Sequence, residues 1–145
     1  MRKLLLAISL LALGASAAQA DAIKDRQALM KERGKLAGAL SKVVKGEEPF
    51  DAAAVMAALQ ALQANAEKTD VAALFPAGTD QGDTEASPKI WQDMEGFNAA
   101  EDKYLATVKA AAASAPADAD ALKGQLGAIG ADCGACHQSF RLKKG

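Results

Sequence analysis

Residues 122–140 read LKGQLGAIGADCGACHQSF, and the pattern of this stretch decides the fold of the chain. A stripe of side chains recurs here every three or four residues, as on one face of an α-helix. It consists of Leu122, Leu126, Ile129, Cys133, Cys136 with His137, and Phe140. The sequence therefore predicts a helix that starts near Asp118 and bears both cysteines and the single histidine towards its C-terminal end.

Four prolines divide the preceding chain into further helical segments, because proline lacks the N–H that an inner helical turn requires. Helices are predicted over residues 22–45, over residues 51–68 and from Ser87 to just before Pro116. Asp51 and Ser87 are typical N-caps, and Pro88 suits the first helical position. No alternating pattern of useful length indicates a strand.

These four amphipathic helices, joined by mostly short connections, predict an all-α, antiparallel four-helix bundle. The longer connection, residues 69–87, is expected to be a loop from which Leu74 and Phe75 pack back onto the core. Gly34 and Gly38 each cost a helix about 1 kcal/mol relative to alanine. We expect another helix or a cofactor to approach them closely in compensation.

The N-terminal residues 1–20, MRKLLLAISLLALGASAAQA, have the pattern of a secretory signal peptide. A basic start precedes an apolar run that is too short to span a bilayer, and Ala18-Gln19-Ala20 suits signal peptidase. We predict cleavage, with a retained N-terminal anchor as the alternative. The mature domain is then residues 21–145, with no further membrane-spanning stretch.

The charge of the chain gives no reason to expect nucleic acid as a partner. The whole sequence has 17 basic and 18 acidic side chains, so removal of Arg2 and Lys3 leaves a net charge of −3. A mildly acidic chain lacks the electrostatic footprint of a protein that binds phosphate backbones.

Residues 133–137, CGACH, match the C-x-x-C-H attachment motif of c-type haem. Cys133, Cys136 and His137 share one helix face, so two thiols can reach the haem vinyl groups while the imidazole reaches the iron. A disulfide or thioredoxin-like pair is a weaker alternative, since it closes almost no loop and no strand precedes it. Zinc would need ligands beyond these three.

The mature chain resembles the class II c-type cytochromes, the cytochrome c prime family. The resemblance rests on motifs spread along its whole length: Arg26-Gln27 with Met30, Lys45-Gly46, Pro49-Phe50-Asp51, Phe75-Pro76, Pro88-Lys89-Ile90-Trp91, Phe97, Gly130, CGACH at 133–137, and Phe140-Arg141. It implies a bundle with one covalent haem c, a periplasmic location, redox partner proteins, and a homodimer packed through the first two helices.

The resemblance also implies roles for individual residues. Arg26 and Gln27 match residues on the propionate side of the haem, and Arg141 matches the basic residue beside the proximal histidine, here His137. Phe97 matches an aromatic wall of the pocket. The residues themselves predict a buried polar contact for Gln27, because it lies on an apolar stripe.

Two functions depend on Met30, which matches the family position on the other side of the iron. If Met30 is the sixth ligand, His/Met ligation suits an electron carrier, which we take as the main hypothesis. The alternative is a five-coordinate, high-spin protein that binds nitric oxide or carbon monoxide. Some high-spin members of the family have an apolar pocket residue at the position of Arg33. A charge there does not fit a closed apolar pocket unless the side chain extends outward to solvent.

An enzymatic function has little support in the sequence. The chain has no second histidine for acid–base chemistry. Asp132 and Glu101 are expected to be ordinary solvated carboxylates. We therefore predict a haem protein with no catalytic side chain.

Overall fold

The computed structural model describes residues 2–143, and for residues 2–18 it describes the backbone alone. This part of the chain forms the helices α1 (Arg2–Val44), α2 (Ala52–Glu67), α3 (Val71–Leu74), α4 (Lys89–Gln92), α5 (Met94–Ala113) and α6 (Ala119–Phe140). Within residues 2–143 there is no strand, only an isolated antiparallel bridge between Ala86 and Arg141.

The four long helices form a ring. Helix α1 packs against α2 and α6, and α5 packs against the same two helices. Each long helix thus lies beside its neighbour in the chain, and the ring closes where the last helix meets the first. The predicted all-α four-helix bundle is confirmed.

Helix α1 begins far upstream of the predicted start at residue 22 and continues without a break past Ala20. The predicted signal peptide, residues 1–20, falls mostly on side chains outside the described part of the chain, so its cleavage stays a prediction. Among the described residues, no helix combines the length and the apolar character that crossing a bilayer requires.

The predicted third helix is divided in two, which the sequence pattern did not indicate. The hydroxyl of Ser87 does accept a hydrogen bond from the Lys89 N–H at 3.3 Å. Helix α4 then ends at Gln92. The carboxylate of the next residue, Asp93, accepts the Gly96 N–H at 3.0 Å and so caps α5. A Cβ atom at Gly96 would lie 2.6 Å from that carboxylate, so glycine permits the close cap.

Two clusters of buried side chains form the core of the described residues. The first is aliphatic and lies between the long helices, with Leu59, Leu62, Val108 and Leu122 almost completely inaccessible to solvent. The second is largely aromatic, and it consists of Leu74, Phe75, Ile90, Phe97 and Phe140. The predicted packing of Leu74 and Phe75 onto the core is confirmed, although the loop also contains the short helix α3.

Gly34 and Gly38 do not have the close neighbours that the sequence predicts. Both are exposed on α1, and no atom outside their own helix lies within 4 Å of the place where a Cβ would stand. No other helix of the described chain approaches them, and the close approach of a cofactor or of a second chain stays a prediction.

Candidate functional site

A cavity of about 480 Å³ opens beside α6, within the range of about 300–1,000 Å³ usual for cofactor pockets. Helices α1, α5 and α6 and the segment before α4 surround it. Every residue that the sequence singled out as a site residue lines this cavity: Arg26, Gln27, Met30, Phe97, Cys133, Cys136, His137 and Arg141.

The two cysteines are free thiols on the same face of α6. Burial raises the pKa of Cys136 to about 11 and also raises that of Cys133. Both thiols are therefore protonated at neutral pH, which does not suit a thiolate redox pair. Among the described residues, no group of three or more His, Cys, Asp or Glu side chains could hold a metal ion.

His137 lies one position beyond the second thiol and lines the same cavity. His137 is exposed overall. Partial burial, together with the positive charge of Arg141, lowers the pKa of His137. The neutral ring favoured in this way is the form that binds a metal ion.

Arg26 is buried, with 5% of its surface exposed, and it holds the loop that follows α3. Its guanidinium donates to the carbonyl of Leu74 at 3.1 Å and to the hydroxyls of Thr79 and Thr84 at 2.8 and 2.7 Å. It also lies 4.9 Å from the centre of the Phe75 ring. Arg26 thus attaches this loop to α1 beside the cavity.

Gln27 is exposed, so the predicted buried contact is wrong. Its side-chain amide donates to the carbonyl of Asp83 at 2.7 Å. The neighbouring stripe residues Ile23 and Met30 are half-buried, whereas Gln27 lies at the loop surface.

Phe97 forms part of the apolar wall of the cavity and is 3% exposed. Its ring meets Phe75 edge-on at 4.7 Å and Phe140 edge-on at 5.3 Å between centroids. Trp91 packs beside this group and donates its indole N–H to the carbonyl of Phe75 at 3.0 Å. Edge-to-face pairs favour a fixed arrangement of rings.

Arg141 follows α6 and remains exposed. It pairs with Glu85, donating from Nε to Oε2 at 2.6 Å, and its backbone N–H bonds to the carbonyl of His137 at 3.2 Å. Backbone hydrogen bonds between residues 85–87 and 140–142 attach this segment to the loop. The chain on either side of Arg141 is therefore fixed beside His137.

Sequence reasoning missed a polar network in the cavity wall. Arg33 does not extend to solvent but is 8% exposed, and it pairs with Glu101 at 3.4 Å. The expectation that Glu101 is solvated is therefore wrong. It is wrong for Asp132 too, which is 6% exposed and bonds to Lys103 at 2.8 Å and Thr107 at 2.6 Å.

The residues of the cavity fit a covalent haem. Two unpaired thiols and one neutral imidazole lie on a single helix face, and aromatic side chains line the same cavity. A Cβ atom at Gly134, between the thiols, would meet nothing within 4 Å, so the helix backbone is accessible there. Met30, half-buried on α1, lines the cavity from another helix.

Comparison with known proteins agrees with this chemistry. The sequence model of the family described as Cytochrome C' matches residues 21–141. Cytochrome c-556 of Agrobacterium fabrum is 40% identical over 125 residues, which cover 86% of this chain and 84% of the relative. Cytochrome c' of Rhodopseudomonas palustris is 38% identical over 135 residues, covering 90% and 88%.

Solved structures have the same architecture. Cytochrome c' from Rhodobacter sphaeroides superposes with a TM-score of 0.81 at 31% identity, covering 87% of this chain and 98% of that one. A nitric oxide complex of a variant of cytochrome c prime from Alcaligenes xylosoxidans gives 0.78 at 33% identity, covering 88% and 98%.

Proposed function

The chain belongs to the cytochrome c' family of electron-transfer haem proteins and binds one covalent haem c, and from this premise we propose that the cavity beside α6 houses the haem. Cys133 and Cys136 form the thioether bonds, and His137 is the proximal ligand. The observation that carries this proposal is that all three side chains line one cavity from one helix face. Haem supplies the one-electron chemistry, and the chain holds and orients it.

On the other side of the iron, we propose an open site that takes a small gas such as nitric oxide or carbon monoxide. One observation supports it: nitric oxide complexes occur among the similar solved structures of cytochrome c prime.

A second candidate is the electron carrier in which Met30 is the sixth ligand. It is favoured by the position of Met30 on the cavity wall, where a thioether sulfur can act as an axial ligand. The similar structures support the open site better, so we place ligation by Met30 second.

Absorption spectra of the reduced protein with and without carbon monoxide separate the two. We expect the parent protein to bind carbon monoxide readily. The affinity of Met30→Ala for carbon monoxide should match that of the parent within about threefold, which is a difference of under 1 kcal/mol in binding free energy. Met56→Ala is the matched control, because Met56 packs against the aliphatic cluster. A methionine-to-iron charge-transfer band that Met30→Ala removes and Met56→Ala retains would instead establish the carrier.

We propose that the protein is cleaved after Ala20 and exported to the periplasm. Redox partner proteins exchange electrons with it in that compartment. Support comes from the composition of residues 1–20 and from the family match, which begins at residue 21. Sequencing of the mature N-terminus tests this proposal, and a chain that still begins with Met1 would reject it.

We also propose a homodimer formed through α1 and α2. The exposed glycines Gly34 and Gly38 leave open space on α1, and a groove between the two helices lies beside Gly38 and Ala54. Light scattering of the purified protein should give twice the mass of one chain. Gly38→Glu should halve it, whereas a monomeric parent protein would contradict the proposal.

A further inference from the structure

The cavity wall contains a buried pair of opposite charges. Arg33 on α1 and Glu101 on α5 lie 3.4 Å apart, and their side chains are 9% and 10% exposed. Both residues line the cavity that holds the two thiols and His137. Water screens such charges poorly, so they act over longer distances than surface charges do.

Hydrogen bonds fix the guanidinium of Arg33 in place. Its Nε donates to Asn65 Oδ1 at 3.0 Å and its Nη2 donates to Thr69 Oγ1 at 2.9 Å. The group also lies 4.3 Å from the centre of the Tyr104 ring. Asn65 in turn donates to the carbonyl of Leu29 at 3.1 Å. The positive charge therefore has one position relative to the cavity.

The two charges lie in the wall of the cavity that Cys133, Cys136 and His137 also line. Their side chains are at most 10% exposed, so little solvent separates them from this space. The field of each charge therefore extends into the cavity with weak screening. A group placed between those three side chains would experience both.

A purely structural role explains the pair poorly. A buried ion pair contributes little net stability, because the loss of hydration offsets the attraction, and apolar residues of the same size often serve as well or better. The neighbouring wall is already apolar and aromatic. A charge pair at this place therefore suggests an electrostatic role.

We propose that Arg33 and Glu101 set the reduction potential of the haem as an opposed pair, with Arg33 favouring the ferrous form and Glu101 the ferric form. This inference rests on the proposed place of the haem in the cavity. One electron from a redox partner protein converts ferric to ferrous iron and removes one positive charge from the site. A fixed cation nearby favours that change, and a fixed anion opposes it.

The test is the reduction potential of the exported holoprotein in a double-mutant cycle. Arg33→Gln should shift the potential downward and Glu101→Gln should shift it upward. The variant with both changes should return towards the parent value. Arg33→Lys keeps the charge and should stay closer to the parent than Arg33→Gln, which separates charge from the loss of hydrogen bonds.

Lys109→Gln is the matched control, because Lys109 pairs with Glu67 away from the cavity and both are well exposed. Shifts of the same sign in Arg33→Gln and Glu101→Gln, or shifts no larger than that of Lys109→Gln, would overturn the inference. If Arg33→Gln does not fold, Glu101→Gln and Arg33→Lys still decide it by the direction and the size of their shifts.

Failure of the underlying function would look different. A parent protein without covalent haem, by mass spectrometry, would contradict the placement of the haem itself. A parent protein with haem and no response to either charge change would contradict the inference alone. The potential can be measured whether the iron is five- or six-coordinate, so the outcome does not depend on the role of Met30.

Discussion

The guanidinium of Arg26 on α1 donates a hydrogen bond to the hydroxyl of Thr79 at 2.8 Å, and it thereby attaches the loop after α3 to the bundle. Thr79 is completely buried, and its hydroxyl donates to the carbonyl of Pro76 at 2.8 Å. The hydroxyl thus serves as acceptor and donor at once. This contact fixes the loop beside Arg26, which lines the cavity.

Replacement of that hydroxyl should destabilise the protein more than loss of the methyl group does. Thr79→Val leaves a buried guanidinium donor and a buried carbonyl with one partner fewer, which should cost about 1–3 kcal/mol. Thr79→Ser keeps both hydrogen bonds and should cost about 0.8 kcal/mol for the lost methyl. Urea unfolding measures both, and an equal loss in the two variants would contradict the role of the hydroxyl.

The start of α5 depends on Asp93. Asp93→Ala removes the side-chain acceptor of the Gly96 N–H and should lower the free energy of unfolding by about 1 kcal/mol. Asp93→Asn keeps an acceptor of the same shape and is the matched control. Urea unfolding of both variants checks this, and a loss in Asp93→Asn as large as that in Asp93→Ala would show that charge rather than capping matters.

The break at Asp93 also shows where sequence patterns fail for the fold. The apolar stripe continues through Ile90, Met94 and Phe97, so periodicity alone predicts one helix across the break. A single residue with φ −139° and ψ 61° interrupts it, and the aspartate serves as C-cap of α4 and N-cap of α5. The strong apolar periodicity predicted the bundle. An interruption of one residue does not change that periodicity, so it could not be predicted from the pattern.

Some residues of the candidate site could likewise be predicted from the sequence, and others could not. Local spacing sufficed for Cys133, Cys136 and His137, because one helix brings them together. The place of Arg33 depends on partners from α2 and α5, which are distant in sequence, so its charge alone predicted exposure. The resemblance placed Arg26 on the propionate side of the haem, which stays a prediction, and it did not predict the hydrogen bonds of Arg26 to the loop.

The buried hydroxyl of Tyr104 predicts both a stability change and its pH dependence. The oxygen has no hydrogen-bond partner among the described residues, and burial raises the pKa of Tyr104 to about 12. Tyrosines of the unfolded chain titrate near about 10. The folded protein therefore holds this proton more tightly, and its free energy of unfolding should fall as pH rises from about 10 to 12.

In Tyr104→Phe this part of the alkaline decline should disappear. At neutral pH the variant should be more stable by about 1 kcal/mol, because an unpaired buried hydroxyl is removed while the ring that meets Arg33 stays. Urea unfolding of the parent and the variant between pH 7 and 11.5 measures both effects. A less stable variant at neutral pH would show that the hydroxyl has a partner in the holoprotein.

The thioether bonds predict a graded response to removal of the two thiols. In Cys133→Ala or Cys136→Ala one sulfur remains, so the mass of the denatured chain should still include haem, with a shifted pyridine haemochrome band. With both changes His137 alone would hold the haem, and unfolding should release it, because an axial ligand is not a covalent anchor. Mass spectrometry of exported protein checks this. Haem that stays attached in the double variant would contradict attachment through Cys133 and Cys136.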